Sequence, residues 1–288
     1  MIAMLSGTTT WWVIMVVIGA ANLAIAWFIF GRAIHQRDQR RVFPLVLGVV
    51  FVTVACYRTI FVSSYPDRLA WFDTMFNSPL VIRGLALCAE LSFIGLIAWL
   101  LRSMPPIENA TTGLASAVRV LPVVAVCCIG AAQLFSFGGL ITQFNFLFAI
   151  EETLWALAFI SITPVVVLRL RRRIPADAHR RAFLIIMAVW CFGYLAFQLF
   201  YALPFMYYTH LADGLRTIVF SDALHQSFFN FTATHNYTTW GGIGFFIWQS
   251  GYFSICSWIM LYAMTVPVQR VGHNEMLVSE ATRGPAYP

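Results

Sequence analysis

Apolar residues run along this chain in seven long blocks separated by shorter polar connections. The blocks are Trp11–Gly31, Phe43–Ser63, Pro79–Leu101, Ala117–Phe137, Asn145–Leu168, Ala182–Tyr207 and Gly241–Thr265. About 20 apolar residues suffice to cross a bilayer as a helix, and each block meets that length. The pattern predicts an all-α fold, a polytopic membrane bundle of seven transmembrane helices. Residues 1–267 form its single domain, and residues 268–288 form a polar tail expected to be disordered.

Composition agrees. Of 288 residues, 60% are hydrophobic and only 10% charged, against about 25% charged in a soluble domain. Mean hydropathy is +0.77. The first ten residues carry no charge, whereas a cleavable signal peptide opens on a positive segment, so the first block is expected to remain as a span.

Charge gives the expected orientation. The chain has no lysine, so all 18 basic residues are arginine. Arg32, Arg37, Arg40 and Arg41 fill the first connection. Arg169, Arg171, Arg172, Arg173, Arg180 and Arg181 fill the fifth. Arg102 and Arg119 flank the third, and Arg270 and Arg283 lie in the tail. The alternate connections keep only Arg68 and Arg216. The positive-inside rule then places the N-terminus outside and the C-terminus in the cytoplasm, as in a bacterial inner-membrane protein. The run Arg171–Arg173 and the net charge of +6 are read as contacts with anionic membrane lipids, not nucleic acid. Seven helices with an outside N-terminus would suit a retinal protein, but a retinal Schiff base needs a lysine and is excluded. Cys56, Cys88, Cys127, Cys128, Cys191 and Cys256 fall inside apolar blocks without a CxxC pair and are read as packing residues.

Five ionisable residues interrupt the blocks: Arg58, Arg83, Glu90, Glu151 and Glu152. A charge in hydrocarbon is costly, so such groups pair, line a cavity or do both. Given the orientation, all five fall in the outer half of the bundle. Arg83 and Glu90 are seven residues apart, close to two turns, so they share a face about 10 Å apart along the axis. Glu90 lies too deep to reach water easily, so it either meets an arginine or holds a proton. Polar stripes on two later helices point the same way: Cys191, Tyr194, Gln198 and Tyr201 on the sixth, and Gln249, Tyr252 and Cys256 on the seventh. Together these residues predict an outward-facing site for a small ligand, with polar groups on aromatic walls. The competing reading is a purely structural set of Arg–Glu pairs that fixes helix register.

The long sixth connection, 209–239, is rich in Phe, His, Asn and Thr. Leu215, Ile218, Val219 and Leu224 predict a short interfacial helix. His210, Asp213, Asp222, His225 and His235 supply ligand types for a zinc site, with two His/Asp pairs at i, i+3 spacing. In the second–third connection, Ser78 and Asn77 before Pro79 predict a helix cap, and Asp73 is placed to cap or to meet Arg83.

Three functional readings follow. The leading one is transport or sensing, with Arg58 and Arg83 holding an anionic or zwitterionic ligand, or Glu90 holding a proton. The second is a membrane enzyme, lipid-modifying or metal-dependent, using the glutamates or the outer His/Asp set. The third is an accessory subunit of a membrane complex, in which oligomers or partner subunits complete the function.

Overall fold

A computed structural model describes residues 7–36, 39–64, 67–107, 111–171, 177–211 and 219–267. Five long helices come first: α1 (Gly7–His35), α2 (Gln39–Ile60), α3 (Pro79–Ser103), α4 (Thr112–Thr142) and α5 (Phe146–Arg171). The sixth is composite, α6 (Ala178–Phe197), a π turn (Gln198–Ala202) and α7 (Leu203–His210). A short helix, α8 (Phe220–Phe229), crosses the loop. A last composite stretch joins α9 (Ile243–Ser250), a second π turn (Gly251–Ile255) and α10 (Cys256–Thr265).

Among the described residues, six helices are long and apolar enough to cross a membrane, the sixth being Ala178–His210. This is an all-α integral membrane protein. The stretch 243–265 is more polar, carrying Gln249, Ser250, Tyr252, Ser254 and Ser257, yet Phe253, Ile259, Met260 and Met264 bury it in the same core. Alternation of direction gathers the starts of α1, α3 and α5 at one end, called here the cap end. The connections at the opposite end carry Arg32, Arg102, Arg169, Arg171, Arg180 and Arg181.

Arginines at that opposite end act as latches. Arg169 donates from Nη1 to the Pro105 carbonyl at 2.9 Å. Arg180 donates from Nε and Nη2 to the Pro267 carbonyl at 3.3 and 3.0 Å, and its Nε lies 3.3 Å from Asp177. Each fixes a loop carbonyl that has no helical partner of its own.

The π turns have physical causes and consequences. Pro204 stands at the start of α7, where its ring crowds the carbonyl four residues back and it offers no N–H. Widening the preceding turn relieves both effects. The extra residue also rotates everything after it. Cys191, Tyr194 and Gln198 face the core, but Tyr201 does not and is 59% exposed. The expected four-residue stripe on the sixth helix therefore ends at Gln198.

Helices α1 and α2 approach closely at Gly19. A Cβ there would sit 2.5 Å from Thr59 Oγ1 and 3.3 Å from the Cys56 backbone. Gly19→Val is expected to lower stability by about 1–3 kcal/mol, since backbone cannot move aside cheaply. Gly48→Ala meets only the flexible Met264 side chain and should cost less. Thermal unfolding of both variants checks the order.

The cap end is closed by loops. A small sheet joins β1 (Ser63–Ser64) antiparallel to β2 (Leu69–Ala70), and β2 parallel to β3 (Thr232–Ala233). Beside it, Trp71 and Trp240 bury against Phe246 and Val62. Ser78 caps α3 by accepting from Val81 N at 3.3 Å, and Pro79 follows as expected. Asn77 instead ties the loop, donating to the Val62 carbonyl at 2.7 Å and accepting from Phe72 N. Asp73 is exposed.

Arg68 pins α8 onto this cap. It donates to the Leu140 carbonyl at 3.0 Å and the Gln226 carbonyl at 3.1 Å, closing the carbonyl ends of α4 and α8. Burial pushes its pKa below the ordinary arginine value without neutralising it. Its backbone adopts φ 52°, a left-handed conformation that favours glycine or asparagine. Arg68→Ala removes two charge-assisted bonds and is expected to cost about 2–4 kcal/mol, partly offset by water. Protease nicking between residues 211 and 240 would rise sharply in that variant.

Candidate functional site

The deep end of the site starts on α3. Helical Cβ atoms tilt toward the N-terminus, so Glu90 reaches back toward the cap end while the long Arg83 side chain folds down to meet it. Arg83 Nη1 donates to Glu90 Oε1 at 3.3 Å and Nη2 to Glu90 Oε2 at 3.1 Å, a bidentate pair. Arg83 is 0% exposed and Glu90 5%.

Two further helices complete the cluster. From α5, Glu151 Oε1 stands 3.2 Å from Arg83 Nη2. From α4, Gln133 accepts from Arg83 Nη2 through Oε1, and donates from Nε2 to Glu90 Oε2 at 2.8 Å and to the Ile129 carbonyl at 3.1 Å. Gln133 and the buried Ser136 lie one turn apart on α4. A Gln/Ser pair at i, i+3 in an otherwise apolar block is a polar face that the charged positions alone do not reveal.

The neighbouring glutamate points elsewhere. Successive helical residues diverge by about 100°, so Glu152 cannot share the Glu151 face. It turns to α6, where Gln198 Nε2 donates to Glu152 Oε2 at 2.5 Å and to Tyr194 Oη at 2.6 Å. Glu152 is only partly covered but lies within electrostatic reach of Glu90 and Arg83. Tyr194 is walled by Trp155, Phe159 and Trp190, with ring centroids 4.6–6.1 Å from it.

Arg58 belongs to a separate group. Among the described residues no carboxylate lies within ion-pair distance. Its guanidinium carbon instead sits 5.6 Å from the Tyr252 ring centroid and 5.0 Å from that of Phe253. Gln249, one turn before, is 5% exposed. The expected site thus divides in two: Arg83, Glu90, Glu151 and Glu152 with Gln198 and Tyr194, and Arg58 with Tyr252, one turn beyond the buried Gln249. Tyr201 joins neither.

The His/Asp set is not gathered. Among the described residues no three His, Cys, Asp or Glu side chains lie close enough to hold a metal ion. Asp222 and His225 share α8 as expected, but the His225 ring packs on Phe229, with centroids 4.9 Å apart. The His235 ring nitrogen is taken by the Trp71 carbonyl at 2.9 Å. Asp213 lies outside the described residues, as do Leu215 and Ile218. The short helix expected in this loop is present as α8, held by Ser227, which donates to the Leu140 and Ala223 carbonyls. All six cysteines are free; Cys56, Cys191 and Cys256 are buried, whereas Cys88 and Cys127 lie on the exterior of the bundle.

One cavity, of about 490 Å³, opens at the cap end between Gly7, Thr8, Trp11, His235, Tyr237, Ile243 and Phe246. It does not touch the carboxyl cluster. No family model, curated protein or solved structure matches the chain, so its chemistry has to be read from its own geometry.

Proposed function

We propose that the Arg83 cluster is a proton-binding site in the outer half of a seven-span bacterial inner-membrane protein that transports or senses. The observation that carries this is a charge imbalance: two carboxyls, Glu90 and Glu151, share one guanidinium, and a third, Glu152, lies within their electrostatic reach. Among the described residues, no second cation lies within ion-pair distance of any of the three. An uncompensated charge costs several kcal/mol in a water-poor interior. Taking up protons on the carboxyls in excess of Arg83 removes that cost, and a mid-membrane glutamate that can do so is the element a proton path needs.

The same geometry argues against an anionic ligand at Arg83. Its fork already faces Glu90, Glu151 and Gln133, and a further anion would add to an existing excess. A simple clamp is also a poor fit, because Glu90 alone would satisfy the arginine in the bidentate way seen. The arginine-rich connections support the cytoplasmic assignment of their end, with the cap end outside. The stretch 243–265 serves as the seventh span, its polar residues shielded by neighbouring helices rather than facing lipid.

The test is infrared difference spectroscopy of the purified full chain at neutral pH. A protonated-carboxyl stretching band is expected, lost or shifted in Glu151→Gln or Glu152→Gln. A spectrum holding ionised carboxylates alone would sink the proposal.

A further inference from the structure

We infer that Arg58 anchors a second site, independent of the proton reading, for an oxyanion: a carboxylate or phosphate group presented at the cap end. Arg58 is 8% exposed, two residues before the end of α2. A guanidinium carries five N–H donors and no means of losing its charge. Among the described residues none of those donors meets a hydrogen-bond acceptor. The carboxylates deeper in the bundle are committed elsewhere, Glu90 and Glu151 to Arg83 and Glu152 to Gln198. Only the faces of Tyr252 and Phe253 compensate the charge, at 5.6 and 5.0 Å. Ring faces attract a cation but accept no directed hydrogen bond, so the fork remains open to a planar or tetrahedral oxyanion.

Two independent features mark the place as built for a ligand. Tyr252 and Phe253 belong to the π turn Gly251–Ile255, and π turns cluster at functional sites because they re-aim side chains at an energetic cost. Here no proline explains the turn, unlike that before Pro204. Gln249, buried one turn toward the cap end, makes no hydrogen bond among the described residues and supplies an amide donor on the same stretch. Outward along that stretch, Ser250 accepts from Trp11 Nε1 at 2.9 Å, and Phe246 forms a wall of the cap cavity. The rings of Tyr252 and Phe253 beside the guanidinium favour an oxyanion attached to an apolar body.

Two sources offer that chemistry: an anionic lipid headgroup and a soluble acid. The full chain, purified in neutral detergent, would be titrated with inorganic phosphate, and separately placed in nanodiscs of phosphatidylglycerol or of phosphatidylcholine with the same acyl chains. Tryptophan fluorescence and melting temperature are the readouts. A saturable response to phosphate supports a soluble oxyanion. A higher melting temperature in phosphatidylglycerol alone supports the headgroup. In either case Arg58→Gln should weaken the response on the order of 10- to 100-fold, as loss of charge-assisted bonds predicts, while Arg32→Gln leaves it intact. If Arg58→Gln does not fold, Arg58→Lys serves, since it keeps the charge but loses the fork and should still weaken binding. No response from the unmodified chain in either arm, or an equal response after Arg58 is replaced, overturns the inference.

Discussion

Arg83→Ala is expected to remove about 3–5 kcal/mol of stability, the largest loss from any single substitution in this chain. The reason is not the worth of one ion pair. Exposed pairs contribute about 0–1 kcal/mol, and even a buried pair gains little over a well-packed apolar replacement. The loss comes from what remains: Glu90 and Glu151 would stay inside the bundle, between α3, α4 and α5, with no cation. Gln133 would keep its bond to Glu90 but lose its own partner in Arg83. Arg83→Lys should be intermediate, because an ammonium cannot fork toward two carboxylates and an amide at once. Thermal unfolding in detergent, with the yield of monodisperse protein, measures this. A melting curve matching the unmodified chain would mean the carboxyls are already neutral and need no counter-charge.

That dependence explains how much of the site could be read from sequence. The apolar blocks made the six long helices legible, and the seven-residue spacing of Arg83 and Glu90 put them on one face, as found. Ser78 and Pro79 announced the start of α3, as found. What failed was rotation. Pattern reasoning carries a constant 3.6-residue period, and one π turn is enough to break it, which is why Tyr201 turns outward while Gln198 does not. It also failed on partners. Arg58 and Arg83 looked equivalent as intramembrane arginines, but one meets two carboxylates and the other two aromatic rings. Sequence depth cannot distinguish them, because the difference lies in which helices pack beside α2 and α3. Gln133 and Ser136 form a polar face legible along α4, but which charged groups the amide meets is decided by the facing helix.

Replacing both glutamates of α5, Glu151→Gln with Glu152→Gln, is the complementary case, in which stability and function should part. The change keeps shape and hydrogen-bonding capacity while removing the carboxyls in excess of Arg83. With Glu90 still paired to Arg83, the remaining cluster is electrically balanced, so the variant should melt at or above the temperature of the unmodified chain. Proton handling should suffer instead. In liposomes loaded with a pH-sensitive dye, an external acid step should acidify the interior about 10-fold or more slowly than with the unmodified chain, a barrier increase of roughly 1.4 kcal/mol. A clamp predicts the opposite pairing, in which the neutral variant loses stability and any flux is untouched. Because the two readings differ in both observables, one variant separates them. A chain that neither passes protons nor shows a protonated carboxyl before the substitution would remove the proton reading altogether, leaving the Arg58 site as the remaining functional lead.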